Sequence, residues 1–207
     1  MTGATSADPS PDKGSRRPSN RRQLILEAAV DLFHHNGYPA TGVDDIGKAV
    51  NVSGPAIYRH FTSKEEILLE AIKAAADEVH AANNAARASG AKSAVLLEAF
   101  IRAYARVAIE QSALISVWTS EARHLNASRR SPMTKRLRAW RDEWVEVLQV
   151  VRPEITDDQA VILVSGAIGL ITTLATSTSH DDEDDTDNLL EDRTVAMAMA
   201  TLHTEII

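Results

Sequence analysis

An all-α fold is predicted, and three observations predict it. Apolar residues recur three and four apart along most of the chain beyond residue 20. Helix-start signatures of the capping-box kind repeat at Thr41…Asp44, Ser63…Glu66 and Thr156…Gln159. No stretch carries the alternation of a strand, and no internal repeat is present. The 207 residues are enough for one or two domains with a buried core, and 44% apolar content is ordinary for a globular chain. Cysteine is absent, which removes disulfides and cysteine-based metal or nucleophilic chemistry and fits a reducing cytoplasm.

Residues 1–18 are rich in Ser, Pro, Gly and charge, a composition that predicts a disordered tail; its lack of an apolar stretch argues against a secretory signal. The first helix is expected from about Arg21 to Asn36, capped by Asn20 with Gln23. Ile25, Ala29, Leu32 and Phe33 form its apolar stripe. Gly37 suits a left-handed C-terminal cap, and Pro39 prevents continuation. A second helix should follow Thr41, with Val43, Ile46 and Val50 on one face. Asn51 tolerates the left-handed backbone of a sharp turn. Ser53 can cap a third helix with Pro55 in its first turn, directing Ile57 and Phe61 inward. Two short helices, a tight turn and an exposed polar second helix describe a helix-turn-helix, whose second helix enters the major groove of DNA.

Ser63 opens a long helix with Leu68, Ala71, Ile72, Ala75 and Val79 on one stripe, ending before Ser89-Gly90. The next is periodic at Leu97, Phe100, Ile101, Tyr104, Val107 and Ala108. Another spans Ser112 to Leu125 with Leu114, Val117, Trp118, Ala122 and Leu125 inward. A loop at Asn126–Pro132 should precede a helix marked by Met133, Leu137, Trp140, Trp144, Leu148 and Val151 and stopped by Pro153. Asp157 to Ser177 is apolar on nearly every side, which predicts burial on both faces, with Gly166 and Gly169 suited to close helix approach. Its uncharged run, Val161–Ala175, falls short of the roughly 20 residues that span a bilayer, so no membrane partner is expected. Residues 180–188 read as an acidic loop, and a last helix is expected over Leu189–Glu205.

The run Thr41, Asp45-Ile46, Val52-Ser53, Ile57-Tyr58-Arg59-His60-Phe61 and Ser63-Lys64-Glu65-Glu66 closely resembles the DNA-binding domain of the tetracycline-repressor (TetR) family of transcription regulators. The resemblance covers about residues 20 to 70 and matches several positions in order and spacing. It implies a helix-turn-helix domain at residues 19–62, followed at 63–207 by a helical ligand-binding and dimerisation domain. Tyr58, His60 and Lys64 match positions that touch DNA phosphates in the family. With Arg21, Thr41, Ser53, Gly54, Pro55, Ala56 and Arg59 they are the candidate DNA contacts. Three positions depart from the family pattern: Asn51 for Gly, Gly47 for Ala, and Gly54 where many members carry Lys or Arg. By intrinsic propensity Gly47 costs its helix about 1 kcal/mol. The loss at position 54 removes one possible base or phosphate contact.

The net charge of −7 does not contradict DNA binding. Residues 1–62 hold seven basic against six acidic side chains, a net +1, so the remainder carries −8. Arg16, Arg17, Arg21 and Arg22 cluster near the first helix, and local charge decides phosphate contact.

In the body, Phe100, Tyr104, Trp118, Glu121, Trp140 and Trp144 are the candidate cavity lining, with core packing as the plainer role for the aromatics and an arginine partner such as Arg102 or Arg106 as the plainer role for Glu121. A carboxylate there points to a largely apolar ligand with one polar or cationic end. Val164, Ala167, Ile168, Ile171, Val195 and Met199 are the candidate interface of a two-fold homodimer; that the last two helices make it is implied by the resemblance. The expected partners are a palindromic double-stranded operator, a small-molecule effector and a second copy of the chain. No cofactor or metal is expected: an EF-hand beginning at Asp181 would need Gly and Glu where Thr186 and Asp192 stand. No phosphate loop, HExxH or G-x-S-x-G element supports an enzyme. The alternative function is a constitutive DNA-binding dimer without an effector; an enzyme is the weakest reading.

Overall fold

The computed structural model describes residues 18–177 and 184–205. Its α-helices are α1 Pro18–Asn36, α2 Val43–Ala49, α3 Gly54–Ile57, α4 Lys64–Ala88, α5 Ser93–Glu110, α6 Ser112–Glu121, α7 Ala127–Val151, α8 Asp157–Ser177 and α9 Asp184–Leu202, with a 3₁₀ turn at Ala122–His124. No strand occurs among the described residues. The expected tail lies outside them except for Pro18, as do residues 178–183 of the acidic segment.

Most element boundaries follow from local chemistry. Gly37 takes φ +83° after α1, and Asn51 takes φ +56° between α2 and α3, the left-handed backbone expected of both. Ser63 Oγ accepts the Glu66 N–H at 3.2 Å, while the Glu66 carboxylate accepts the Thr62 N–H at 2.6 Å, one residue earlier than an ideal box. Thr156 and Gln159 form the reciprocal box: Thr156 N–H to Gln159 Oε1 at 2.9 Å, Gln159 N–H to Thr156 Oγ1 at 3.3 Å.

Five local expectations need correction. α1 begins at Pro18, so Asn20 lies inside the helix, and Gln23 donates to Glu27 at 3.0 Å. Gly42, not Thr41, caps α2, and the Asp45 carboxylate accepts its N–H at 3.1 Å. Ser53 stands at the N-cap of α3, but its hydroxyl makes no capping bond. The expected loop at 126–132 is helical: Asn126 Oδ1 accepts the Ser128 N–H at 2.9 Å, and α7 starts there with Pro132 inside it. The last helix starts at Asp184 and ends at Leu202. Pro132 is a weak helix former, a propensity that tertiary packing overrides, whereas Asp184 and Asp185 fall in the first turn of α9, where negative charge is favoured.

Two apolar clusters make the core. One holds Ile25, Phe33, Ile46, Ile57, Phe61, Ile67 and Leu68 and continues into Leu114, Val117, Leu125 and Met133. The core behind the helix-turn-helix therefore runs on into α6 and the start of α7. The second joins α5, α7, α8 and α9 through Leu97, Phe100, Ile101, Trp144, Leu148, Val164, Ala167, Ile171 and Val195. Arg102 fastens α5 to α9 through Glu191 at 3.0 Å and Asp192 at 2.7 Å. Arg152 donates to the Leu202 and Thr204 carbonyls at the end of α9, both at 2.9 Å.

α8 departs from the expectation of two buried faces. Ala160, Val164, Ala167 and Ile171 pack inward, but Ile162, Ser165, Gly166, Gly169 and Thr173 are exposed in a single chain. By length and composition alone this 21-residue helix could cross a bilayer, a point its shorter uncharged run concealed. A third of its apolar window is buried inside the chain.

Candidate DNA-reading face and body cavity

The recognition element is one turn of α-helix prolonged by turn bonds, from His60 N–H to Ile57 O at 2.8 Å and from Phe61 N–H to Ile57 O at 3.0 Å. Ile57 and Phe61 are buried and anchor it. This orientation exposes Ser53, Pro55, Tyr58 and Arg59 and leaves Ala56 and His60 half-exposed. Tyr58 is 56% exposed. No described protein group bonds the Tyr58 hydroxyl or the Arg59 guanidinium.

Four of the other candidate contacts are placed differently. Gly54 is buried where α3 folds over α2, and a Cβ on it would lie 1.9 Å from the Asp44 carboxylate oxygen. Its side-chain position therefore faces Asp44 and not solvent. Thr41 is also buried, its hydroxyl shared between the Leu32 and Gly37 carbonyls at 3.1 and 3.0 Å. The Lys64 ammonium faces the Tyr38, Pro39 and Thr41 carbonyls at 2.6, 3.3 and 2.9 Å, which occupies its three donors. It also lies 4.5 Å above the Tyr38 ring, and burial holds its pKa below the ordinary lysine value. Arg21 donates to the Val50 carbonyl at the end of α2 at 3.1 Å, leaving its other donors free for phosphate. Its neighbour Arg22 lies over the Phe61 ring at 4.1 Å and pairs with Glu70 at 3.4 Å. Thr41, Lys64 and Arg22 thus hold the loops that aim α3. Gly47 is buried too; a Cβ there would approach the Val52 carbonyl to 2.8 Å, so its small size fits the turn against α2.

The body contains a cavity of about 770 Å³ walled by α4, α5, α6, α7 and α8. Of the six sequence candidates, Tyr104, Trp118 and Trp140 line it. Tyr104 bonds Thr172 Oγ1 at 2.8 Å and packs on Trp140 with ring centroids 4.8 Å apart; burial raises the pKa of its phenol. Phe100 and Trp144 are fully buried core residues outside the lining. Both lie on the apolar stripe of their helices, and periodicity does not separate core from cavity wall.

Glu121 does not line the cavity either. It faces the junction with the head, where Glu65, Arg129 and Glu121 all act on Tyr38. Burial first, then Glu65, pushes the Tyr38 phenol up to about 12, with Arg129 opposing. Neither Arg102 nor Arg106 pairs with Glu121, and its Oε2 is buried without a protein hydrogen bond. Across the same junction Asn126 N–H donates to Glu65 at 3.0 Å and Arg129 to Ser63 Oγ at 2.9 Å.

Sequence reasoning missed the polar lining: His80, Arg136, Arg138, Arg141 and Glu143. The available signal was the density of arginine along residues 129–141, beside the aromatic stripe that drew attention. Four of the six interface candidates need correction as well, while Ile168 and Met199 are only partly buried. Val164, Ala167, Ile171 and Val195 are buried within the chain, Ile168 lines the cavity, and Met199 packs against the core. The apolar side chains left outward are Ile162 on α8 and Leu189 and Met197 on α9.

Residues 25–71 match the family model for bacterial regulatory proteins of the tetR family. The HTH-type transcriptional repressor KstR2 of Rhodococcus jostii (strain RHA1) is 31% identical over 143 residues, 68% of this chain and 70% of that protein. The fold is shared with solved structures. The TetR family transcriptional regulator PfmR from Thermus thermophilus superposes with a TM-score of 0.73 at 24% identity, covering 88% of this chain and 99% of that one. The ketosteroid transcriptional regulator KstR2 of Mycobacterium tuberculosis gives 0.73 at 23% identity, over 89% and 96%.

Proposed function

The chain belongs to the TetR family of bacterial transcription regulators, and from that premise we propose that it is a cytoplasmic, homodimeric repressor released from a palindromic operator by a small, largely apolar effector. Residues 19–62 read the DNA and residues 63–207 hold the effector and the partner copy. In each copy Ser53, Pro55, Ala56, Tyr58, Arg59 and His60 face the major groove, with Arg21 on a flanking phosphate. Two copies, one DNA turn or about 34–36 Å apart, supply the specificity that one short helix lacks.

One observation carries the regulated reading over a constitutive one. α6 serves both sites: Leu114 and Val117 belong to the core behind the helix-turn-helix, while Ile115, Trp118 and Thr119 line the cavity. A ligand that repositions α6 therefore acts on the head directly. It must bind the DNA-incompetent state more tightly, because equal affinity shifts nothing. About 770 Å³ lies within the usual range for small-molecule sites, roughly 300–1,000 Å³. The ketosteroid role in the name of the M. tuberculosis neighbour makes rigid polycyclic compounds the first class to screen.

The test has two steps. Selection from random duplexes yields the operator, and gel shifts at fixed salt measure its affinity. Compounds that change tryptophan fluorescence are then added. Release of operator by a fluorescent hit supports the proposal. Hits that leave operator affinity unchanged favour the constitutive dimer, and failure to enrich any sequence removes both readings.

A further inference from the structure

The charges around the cavity are unevenly satisfied. Three arginines line it against one carboxylate, Glu143. On the flank of α7 that meets α4, Arg136 pairs with Asp77. On that same flank Glu143 is shared between Arg87 at 3.8 Å and His80 at 3.7 Å. These pairs latch the α4–α7 edge. At roughly 100° per residue, Thr134, Arg138 and Arg141 fall on the opposite flank of α7. The α8 wall of the cavity is Ser165, Ile168, Gly169 and Thr172. Among the described residues no hydrogen bond or ion pair joins these three α7 side chains to α8. Arg138 has no acidic partner there, and Arg141 has only its sequence neighbour Asp142, itself half-exposed, at 2.6 Å.

We propose that the cavity takes an amphipathic ligand ending in an oxyanion, a carboxylate or a phosphate, which Arg138 and Arg141 hold while its apolar body lies against Tyr104, Trp118 and Trp140. The inference deepens the reading of this cavity as the effector site and rests on it. It reverses the sign expected from sequence, because that expectation depended on Glu121, which lies outside the lining. An oxyanion taken from water into an apolar site needs charged donors in place, and the planar guanidinium offers them in pairs. An ammonium at the same place meets two like charges and no free carboxylate.

The probes are dodecanoate, dodecyl phosphate, dodecanol and dodecylamine, which share one flexible body and differ in the end group. Each is titrated as monomer into the full-length protein, with tryptophan fluorescence and calorimetry as readouts. One or both anions are expected to bind at least about tenfold more tightly than dodecanol, the size of one charge-assisted bond. Dodecylamine should bind most weakly. The better of the two anions identifies the oxyanion. In Arg138→Gln/Arg141→Gln the anion advantage should vanish while dodecanol binding persists, which also shows that the cavity is still folded. Equal binding of anions and dodecanol, or an anion advantage that survives in the double variant, overturns the proposal but leaves the cavity reading standing. Binding of none of the four overturns the oxyanion proposal, and the cavity reading then falls only if the polycyclic screen also yields no ligand.

Discussion

At Tyr58 and Asn51 single substitutions test how the head is built and what it contacts. Tyr58, at the C-terminal cap of α3, is the largest exposed side chain of the recognition element, and its hydroxyl has no described protein partner. Tyr58→Phe keeps the ring and removes only that hydroxyl. Operator binding should weaken by about 1 kcal/mol per half-site, with the melting temperature unchanged. Full affinity in gel shifts would take Tyr58 out of the contact set. Asn51 sits at φ +56°, where glycine is at ease and a β-branched residue is not. Asn51→Gly should stabilise the protein by up to about 1 kcal/mol, and Asn51→Val should destabilise it by about 1–2 kcal/mol. Denaturant melts that ranked these variants in the opposite order would refute a left-handed turn there. The meaning of Asn51 was legible in the sequence because the requirement is local. The placement of Lys64 and Thr41 was not, because the carbonyls they satisfy lie up to 26 residues away in the chain.

Among the elements, α2 and α4 depend on ionised carboxylates at their N-termini. Hydrogen bonds from the Thr62 hydroxyl and backbone hold Glu66 below the usual carboxylate range, and the Gly42 N–H followed by Lys48 does the same for Asp45. A depressed folded pKa means that the stabilisation is present above the unfolded value, near 4, and is lost as pH falls through the folded value. Glu66→Gln should therefore melt below the parent protein at pH 7, with the gap closing as pH falls from the unfolded value through the folded one. A gap independent of pH would assign the effect to packing. α8 offers a second test. Ala167 is fully buried, so Ala167→Arg should unfold the bundle, whereas Ile162 is 60% exposed. Ile162→Arg should yield a folded monomer by light scattering with an unchanged circular dichroism spectrum. A dimer that persisted would move the interface off this face.

For the whole molecule the prediction is linkage. α6 borders both the cavity and the core behind the helix-turn-helix, so under the proposed function effector and operator compete through one equilibrium, and operator DNA must weaken effector binding by the same factor by which effector weakens operator binding. Trp118 and Trp140 line the cavity and no tryptophan lies in the head, so fluorescence titrations with and without operator measure that factor directly. Unequal factors would break the two-state description.

The sequence by itself determined what depends on near neighbours. The all-α class, the order of the helices, the caps at Ser63 and Thr156, the left-handed turns at Gly37 and Asn51, and the helix-turn-helix pattern all arise within about one helical turn of chain. Tertiary structure alone decided which apolar face meets which. Phe100 and Trp144 became core while Trp118 and Trp140 became cavity wall, Val164 and Ala167 turned inward, and Glu121 turned to the head. Apolar spacing fixes that a face is buried, but the partner that buries it is set by packing between helices far apart in sequence. The charge of the cavity was hidden for the same reason: three arginines on α7 acquire their meaning only from where Asp77, Arg87 and His80 stand on α4.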